Sequence, residues 1–171
     1  MIKANFDYNA IDKKLREFRE QVHRDVIEAL KILGEMCVNE ARENGSYKDQ
    51  TSNLRSSIGY VIVVNGQIIQ EDFAKAGSGK MKVSYSSIST KKRHTKTVKW
   101  EGQDGISVAK SAAYALASKN ETGYVLIVVA GMHYAVYVEA NGLNVLDSSE
   151  SLAKKVLPQL INQLKAKYNN N

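Results

Sequence analysis

An apolar stripe that recurs every three or four positions over residues 10–43 most constrains how this chain folds. Its members are Ile11, Leu15, Phe18, Val22, Val26, Leu30, Leu33 and Cys37. Side chains at this spacing share one face, so the segment is predicted to be a single amphipathic helix that stops at Asn44-Gly45. About thirty helical residues span about 45 Å, so part of the helix is expected to pack on something besides its own sheet.

Strand-forming segments follow this helix. The β-branched and aromatic run 60–64 and the run 67–70 flank Asn65-Gly66, a dipeptide typical of a two-residue hairpin turn because both positions tolerate positive φ. The continuous apolar run 124–130 predicts a strand that is covered on both faces and central to the sheet. Residues 144–146 form a further short candidate strand.

Two more helices are indicated in the second half of the chain. Asp104 is a candidate cap for a helix of small residues that reaches Ser118. Asp147, with Glu150 three residues later, resembles a capping box for a final helix, which Pro158 should kink or restart. The final helix is expected to bury Leu152, Val156, Leu160, Ile161 and Leu164.

The predicted fold class is therefore α+β. A long N-terminal helix and a C-terminal helix pack on a small, mainly antiparallel sheet of about four strands, with a protruding basic loop. The chain is expected to be a single domain, residues 1–171, with a flexible basic insertion at about 74–103. Its apolar content of 43% suffices for a buried core.

The positive charge of the chain is concentrated in one segment. Residues 75–99 hold eight Lys or Arg and no Asp or Glu, whereas the rest has 16 basic and 18 acidic residues. The segment is either a mobile loop or a ribbon whose two arms would be Met81–Ile88 and Thr97–Trp100. The candidate partner-contact residues are Lys80, Lys82, Lys91, Lys92, Arg93, Lys96 and Lys99.

Three readings of this basic segment remain open. It could contact nucleic-acid phosphates without sequence preference, with Tyr85 and Trp100 stacking on bases. It could meet an acidic surface on another subunit, or it could simply be solvated.

Few residues suggest chemistry. Cys37 lies on the apolar stripe, so it is expected to be a small core residue, and a single cysteine excludes an intramolecular disulfide. Among His23, His94 and His133, the last is the best lone catalytic candidate because it follows the end of a strand, but no partner is identifiable. The zinc motifs CxxC and HExxH and the Asp-rich calcium loop are absent from the sequence.

The sequence therefore predicts a protein that is not an enzyme, with no catalytic residue, metal site or cofactor. Gly77-Ser78-Gly79-Lys80 lacks the spacing of a phosphate-binding loop. The first seven residues have no apolar signal-peptide core, so none is expected. Since no window approaches the length of an apolar membrane span, no membrane partner is expected either.

Two short stretches resemble a known family. Residues 49–58 are similar to the D-T-G-x-L-R-x-S-I motif of tail-completion, or head–tail joining, proteins of long-tailed bacteriophages. Residues 133–142 are similar to the Y-A-x-Y-V-E-x-G element of the same family. The departures are Ser52 in place of the motif glycine and one extra residue between Asp49 and Thr51. The matching positions are Asp49, Thr51, Leu54, Arg55, Ser57, Ile58, Tyr134, Ala135, Tyr137, Glu139 and Gly142.

The resemblance implies a structural virion subunit that completes the tail or joins head to tail in a phage or prophage. It would be made in the host bacterial cytoplasm, form a ring with copies of itself, and contact other neck or tail proteins. The alternatives are a basic nucleic-acid-binding accessory protein that uses the 75–99 segment, and an enzyme centred on His133.

Each motif residue type also has an expected structural role. Asp49 or Thr51 would satisfy backbone donors in the turn after the helix. Arg55 is a candidate partner for a carboxylate, and Glu139 is the acid to test. Leu54 and Ile58 would anchor the entry to the first strand, and Tyr134 and Tyr137 would share a face if their element is one helical turn.

Overall fold

The computed structural model describes residues 7–48, 52–74, 80–86, 93–99 and 104–169, with backbone alone for 80–86 and 93–99. Within these residues the chain is α+β, as predicted. The elements in chain order are α1 (Tyr8–Glu43), α2 (Asn53–Ser56), β1 (Ile58–Val64), β2 (Gln67–Asp72), β3 (Lys80–Ser86), β4 (Arg93–Lys99), α3 (Gly105–Ala117), β5 (Tyr124–Ala130), α4 (Ala135–Ala140) and α5 (Asp147–Asn169).

The predicted long helix is confirmed as α1. The carboxylate of Asp7 accepts hydrogen bonds from the backbone N–H groups of Asn9 and Ala10, at 3.1 and 3.2 Å, so the helix begins with a capping residue. The helix ends at Glu43, beside the predicted stop at Asn44. All residues of the predicted stripe therefore lie in one uninterrupted helix.

The predicted hairpin is confirmed as β1 and β2. Asn65 and Gly66 have φ values of 48° and 81°, the positive range that a tight hairpin turn requires. The Asn65 side chain also accepts a hydrogen bond from the backbone N–H of Gly123, at 2.9 Å. This turn is therefore tied to the start of β5 as well as to its own strands.

The apolar run 124–130 forms a strand, but its predicted central position is wrong. The order of the main sheet is β2-β1-β5, all antiparallel, so β5 lies at one edge and the fully buried β1 is central. The run is apolar throughout because side chains on both faces of the strand pack against other elements. Ile127 and Val129 pack towards α3, whereas Leu126 and Val128 face the α1 side.

The main sheet has three strands within the described residues, not about four. The predicted short strand at 144–146 is not formed. Its physical reason is local: the backbone N–H groups of Val145 and Leu146 are bound by the carboxylate of Glu139, so they are not available to a neighbouring strand.

Helices cover both faces of this sheet. α1 packs on β1 and β5 through a cluster that includes Val38, Ala41 and Tyr60. α3 packs on the opposite face, where its buried residues are alanines spaced four apart and a first-turn glycine, as the small side chains predicted. The small residues let α3 lie close to the strands.

α5 packs on α1 rather than directly on the sheet. At its start, Ser149 donates a hydrogen bond to the backbone carbonyl of Cys37, at 2.6 Å. At its end, Lys167 and Tyr168 bind the carboxylate of Asp25 and hold the pKa of that group below its ordinary value. α5 continues through Pro158, so the restart that was one of the two expected effects of this proline does not occur.

The basic segment contains a second, two-stranded sheet. β3 and β4 pair antiparallel, with Lys80 opposite Lys99 and Val83 opposite Lys96. The ribbon alternative is therefore confirmed over residues 80–86 and 93–99. Lys91 and Lys92 lie outside the described residues.

Gly131 gives a test of the packing between β5 and α3. A Cβ atom added there would lie 2.5 Å from the backbone N of Ala109, far inside normal contact. Gly131→Ala should lower the free energy of unfolding by about 1–3 kcal/mol, measured by urea denaturation. Adding Ala109→Gly should not rescue it, because the clash involves main-chain atoms. A stability equal to wild type would contradict this close approach.

Candidate functional site: the junction of the two sequence motifs

The two sequence motifs lie close together in space, because Ser57 of the first motif bonds Gly131 and Met132, the two residues that directly precede the second motif. Its buried hydroxyl donates to the carbonyl of Leu54 at 2.7 Å and accepts from the N–H of Met132 at 3.4 Å. Its own carbonyl accepts from the N–H of Gly131 at 3.0 Å. One small residue thus connects the turn before β1 to the turn after β5, and we call this region the motif junction.

An apolar cluster fills the motif junction. Leu54, from the first motif, packs with Ala135, from the second, and with Val145, which precedes α5. Ile58 is fully buried at the start of β1. The predicted anchoring roles of Leu54 and Ile58 are therefore confirmed.

Glu139 is the main polar group of the second motif. One carboxylate oxygen accepts hydrogen bonds from three consecutive backbone N–H groups, those of Val145 at 3.4 Å and of Leu146 and Asp147 at 2.8 Å. These groups lie where α5 begins, so a carboxylate from α4 caps α5.

Two expectations about these acids are corrected. Asp147 does not cap α5 but is its first residue, and the Glu150 carboxylate pairs with Lys154 at 2.6 Å. Glu139 binds backbone groups instead of Arg55, whose guanidinium lies 5.7 Å from the centre of the Tyr47 ring. The cap donated by another helix is a tertiary contact, which local spacing does not reveal.

Gly142 positions the turn between α4 and α5. Its φ is 76°, and its N–H donates to the carbonyl of Glu139 at 2.9 Å, while the N–H of Leu143 donates to the carbonyl of Val138 at 3.3 Å. This pair of bonds is the Schellman arrangement, which favours glycine because L side chains rarely adopt positive φ. The glycine of the second motif therefore has a backbone role.

The two tyrosines of the second motif do not share a buried face. Tyr134 is half-buried against the apolar cluster. Tyr137 and its neighbour Val136 are 70% and 71% exposed, so neither can hold the fold together. The motif junction therefore presents an apolar surface outward. Asp49 and Thr51 of the first motif lie outside the described residues.

Arg42 is a structural residue that the sequence pattern did not single out. Its guanidinium donates to the carbonyl of Ile58 at 2.7 Å and to that of Ala74 at 2.9 Å. Burial lowers its pKa from the ordinary arginine value. The end of α1 is thus bonded to the start of β1 and to the chain just after β2.

The catalytic candidates do not come together. His133 is exposed, and its described contact is an edge-to-face one with the ring of Tyr134, 5.6 Å between centroids. Cys37 is 1% exposed, and burial raises the pKa of its thiol, which suits a core residue. His23 instead bonds the hydroxyl of Tyr124 at 2.7 Å, linking α1 to β5. Within the described residues, no three His, Cys, Asp or Glu side chains converge as metal ligands would.

Glu139 gives the sharpest test of the motif junction. Glu139→Ala should lower the free energy of unfolding by about 1–3 kcal/mol, because three backbone donors lose a charged acceptor. Urea denaturation measures the loss. Glu150→Ala, which removes an exposed acid from the same helix start, is the matched control and should leave the midpoint unchanged. Equal effects of the two variants would contradict the capping role.

Comparison with known proteins adds no family to this geometry. No protein-family model, no curated protein and no solved structure matches the chain significantly. Among the described helices, none is both long and apolar enough to cross a membrane. The function of the chain is therefore inferred from its own residues and their contacts.

Proposed function

We propose that this chain is a structural virion subunit that completes the tail, or joins head to tail, of a bacteriophage or prophage and assembles into a ring. The motif junction carries this proposal. The two stretches that resemble the tail-completion family lie about 75 residues apart in the chain, yet Leu54 of the first and Ala135 of the second share one buried apolar cluster, and Ser57 bonds the two residues that directly precede the second stretch. A contact between both motifs supports a relationship to the tail-completion family better than either motif alone.

The chemistry of the motif junction also favours a structural role. Two of its polar groups, Ser57 and Glu139, bind backbone atoms of the chain itself. Its exposed side chains, Val136 and Tyr137, are apolar or aromatic and suited to a protein partner. The partners would be further copies and other neck or tail proteins.

A ring needs two different, complementary surfaces on each copy, because its contacts are head-to-tail. The basic ribbon of β3 and β4 provides one. The other is an acidic face formed by Glu28, Glu35 and Asp72, which are all exposed. Burial, aided by the charges of Glu35, Asp72 and Glu28, raises the pKa of Tyr60 to about 12.

The assembly is testable in solution. Light scattering after size exclusion, with negative-stain imaging, should show rings, or association with tail tubes, that weakens as salt increases. Glu28→Gln/Glu35→Gln should weaken the assembly, because it removes charges that face the neighbouring ribbon. Glu17→Gln/Glu20→Gln, an equal charge change on the same helix, is the control. A monomer at every concentration that also ignores tail tubes would refute the proposal.

A nucleic-acid-binding accessory protein is the second candidate, and the ribbon register favours it. Lys80 lies directly opposite Lys99, so the backbone register brings two basic residues together at one end of the ribbon. Nucleic-acid phosphates are anions that such a concentration of basic residues binds.

Binding to double-stranded DNA tests this candidate. Affinity, measured by fluorescence anisotropy, should fall steeply with salt and be lost in Lys91→Ser/Lys92→Ser/Arg93→Ser. Lys13→Ser/Lys14→Ser/Arg16→Ser removes the same charge from the exposed part of α1 and should bind as wild type does. Unchanged affinity in the first variant would eliminate this reading.

A further inference from the structure

An open apolar groove lies between α1, β5 and α5. It has a volume of about 710 Å³, within the range of established binding grooves. Its principal lining residues are Val26, Leu30 and Leu33 from α1, Leu126 and Val128 from β5, and Leu157 from α5. The groove exists because α5 packs on α1 and leaves the edge strand β5 uncovered.

The first eleven residues of α1 form an arm that extends from the contact between Phe18 and Tyr168. The last described contact between α1 and the end of α5 is the edge-to-face pair of Phe18 and Tyr168, 5.3 Å between centroids. Residues 8–17 continue for about 15 Å past it. We call Tyr8–Phe18 the arm.

The arm contains the N-terminal half of the apolar stripe, and this half is exposed. Tyr8, Ile11, Leu15 and Phe18 are 77%, 46%, 57% and 53% exposed, although all are on the face that is buried further along α1. Four large apolar side chains exposed in a row indicate a protein contact rather than a solvated surface.

We infer that the arm of one copy packs into the groove of a second copy. This inference rests on the self-assembly in the proposed function and adds an apolar contact between copies to the charged contact between the basic ribbon and the acidic face. The arm is an apolar ridge, the groove is an apolar cleft, and both are on the same chain. One contact covers both surfaces.

The area of this contact is that of a weak interface, which each copy makes twice. The four arm side chains leave on the order of 450 Å² of apolar surface exposed, since a large aromatic side chain buries roughly 150–250 Å² when fully covered. The exposed groove residues Tyr124, Leu157 and Ile161 add on the order of 250 Å², so each contact buries roughly 700 Å², below the size of a stable specific interface. Each copy makes two such contacts, one with its arm and one with its groove.

Charge is confined to the rims of both surfaces. Residues 7–20 hold four acidic and four basic side chains, including the pair Asp12–Arg16 at 2.8 Å. Among the described residues that line the groove, Glu150 is the one with a charge, and it pairs with Lys154 at 2.6 Å. The arm contact should therefore persist at high salt, unlike the contact between the basic ribbon and the acidic face.

Variants of the arm test the inference at high salt. Ile11→Ser/Leu15→Ser should raise the dissociation constant of self-association about tenfold or more, measured by light scattering and analytical ultracentrifugation. Lys13→Ser, on the opposite face of the arm, is the control and should associate as wild type does. Both altered positions are exposed, so an unchanged melting temperature confirms that the variant is folded.

Complementation assigns the contact to the groove. Leu157→Ser/Ile161→Ser should also lose self-association, because both residues line the groove. A mixture of the arm variant and the groove variant should regain a pairwise complex, since each retains the surface that the other lacks. Failure of the mixture to associate, while wild type does, would overturn the arrangement.

A disulfide between copies locates the arm directly. Leu15→Cys in one copy and Ile161→Cys in another should form a crosslinked dimer on mild oxidation. Within one chain these positions cannot meet, because Ile161 shares the groove with Val26, about 16 Å along α1 from Leu15. The buried Cys37 does not compete.

The outcomes separate this inference from the proposed function. Rings that survive Ile11→Ser/Leu15→Ser but not Glu28→Gln/Glu35→Gln would overturn the arm contact and leave the structural role intact. A wild-type protein that is monomeric at high salt yet binds tail tubes would do the same. A protein that neither self-associates nor binds tail tubes would overturn both.

Discussion

Ser57 is the point on which the rest of the fold depends. This buried residue bonds Leu54 on one side and the Gly131-Met132 backbone on the other, so it sets where β1 begins relative to where β5 ends. These hydrogen bonds hold β1 and β5 in register. They therefore also fix the sheet face that α3 covers. Gly131 lies too close to the backbone of Ala109 for any side chain, so the junction also sets the distance between β5 and α3. A buried hydroxyl with two partners is costly to leave unpaired, which makes the arrangement specific.

The second control point is Glu139, because it positions α5. Its carboxylate accepts hydrogen bonds from the first N–H groups of α5, and the turn at Gly142 sets the direction of the chain between α4 and α5. α5 then runs back along α1, bound at Cys37 by Ser149 and at Asp25 by Lys167. This path leaves β5 uncovered and opens the groove. The surface proposed for contact with a second copy is thus a consequence of where one carboxylate lies.

Much of the secondary structure was predictable from local patterns. The stripe of α1, the Asn65-Gly66 turn and the apolar run of β5 each appear where expected. What failed was the placement of elements. An apolar run indicates that both faces of a strand are covered by other elements. It does not indicate that strands pair with both of its edges, and for this reason the predicted central position of β5 was wrong. Likewise, a capping box at Asp147 was a sound local pattern, but Glu139, eight residues earlier, accepts the hydrogen bonds instead.

By itself, the sequence determined the helices, the hairpin, the basic segment and the two stretches that resemble a phage family. Each of these depends on residue type and spacing over a few neighbouring positions. Only the tertiary structure decided that the two stretches lie close together at Ser57, that Glu139 caps α5 rather than pairing with Arg55, and that Tyr137 faces outward. It also showed that the apolar stripe is buried in the inner half of α1 and exposed in the arm. Spacing defines a face of a helix, whereas what covers that face depends on other elements, from β1 nearby in the chain to α5 more than a hundred residues away.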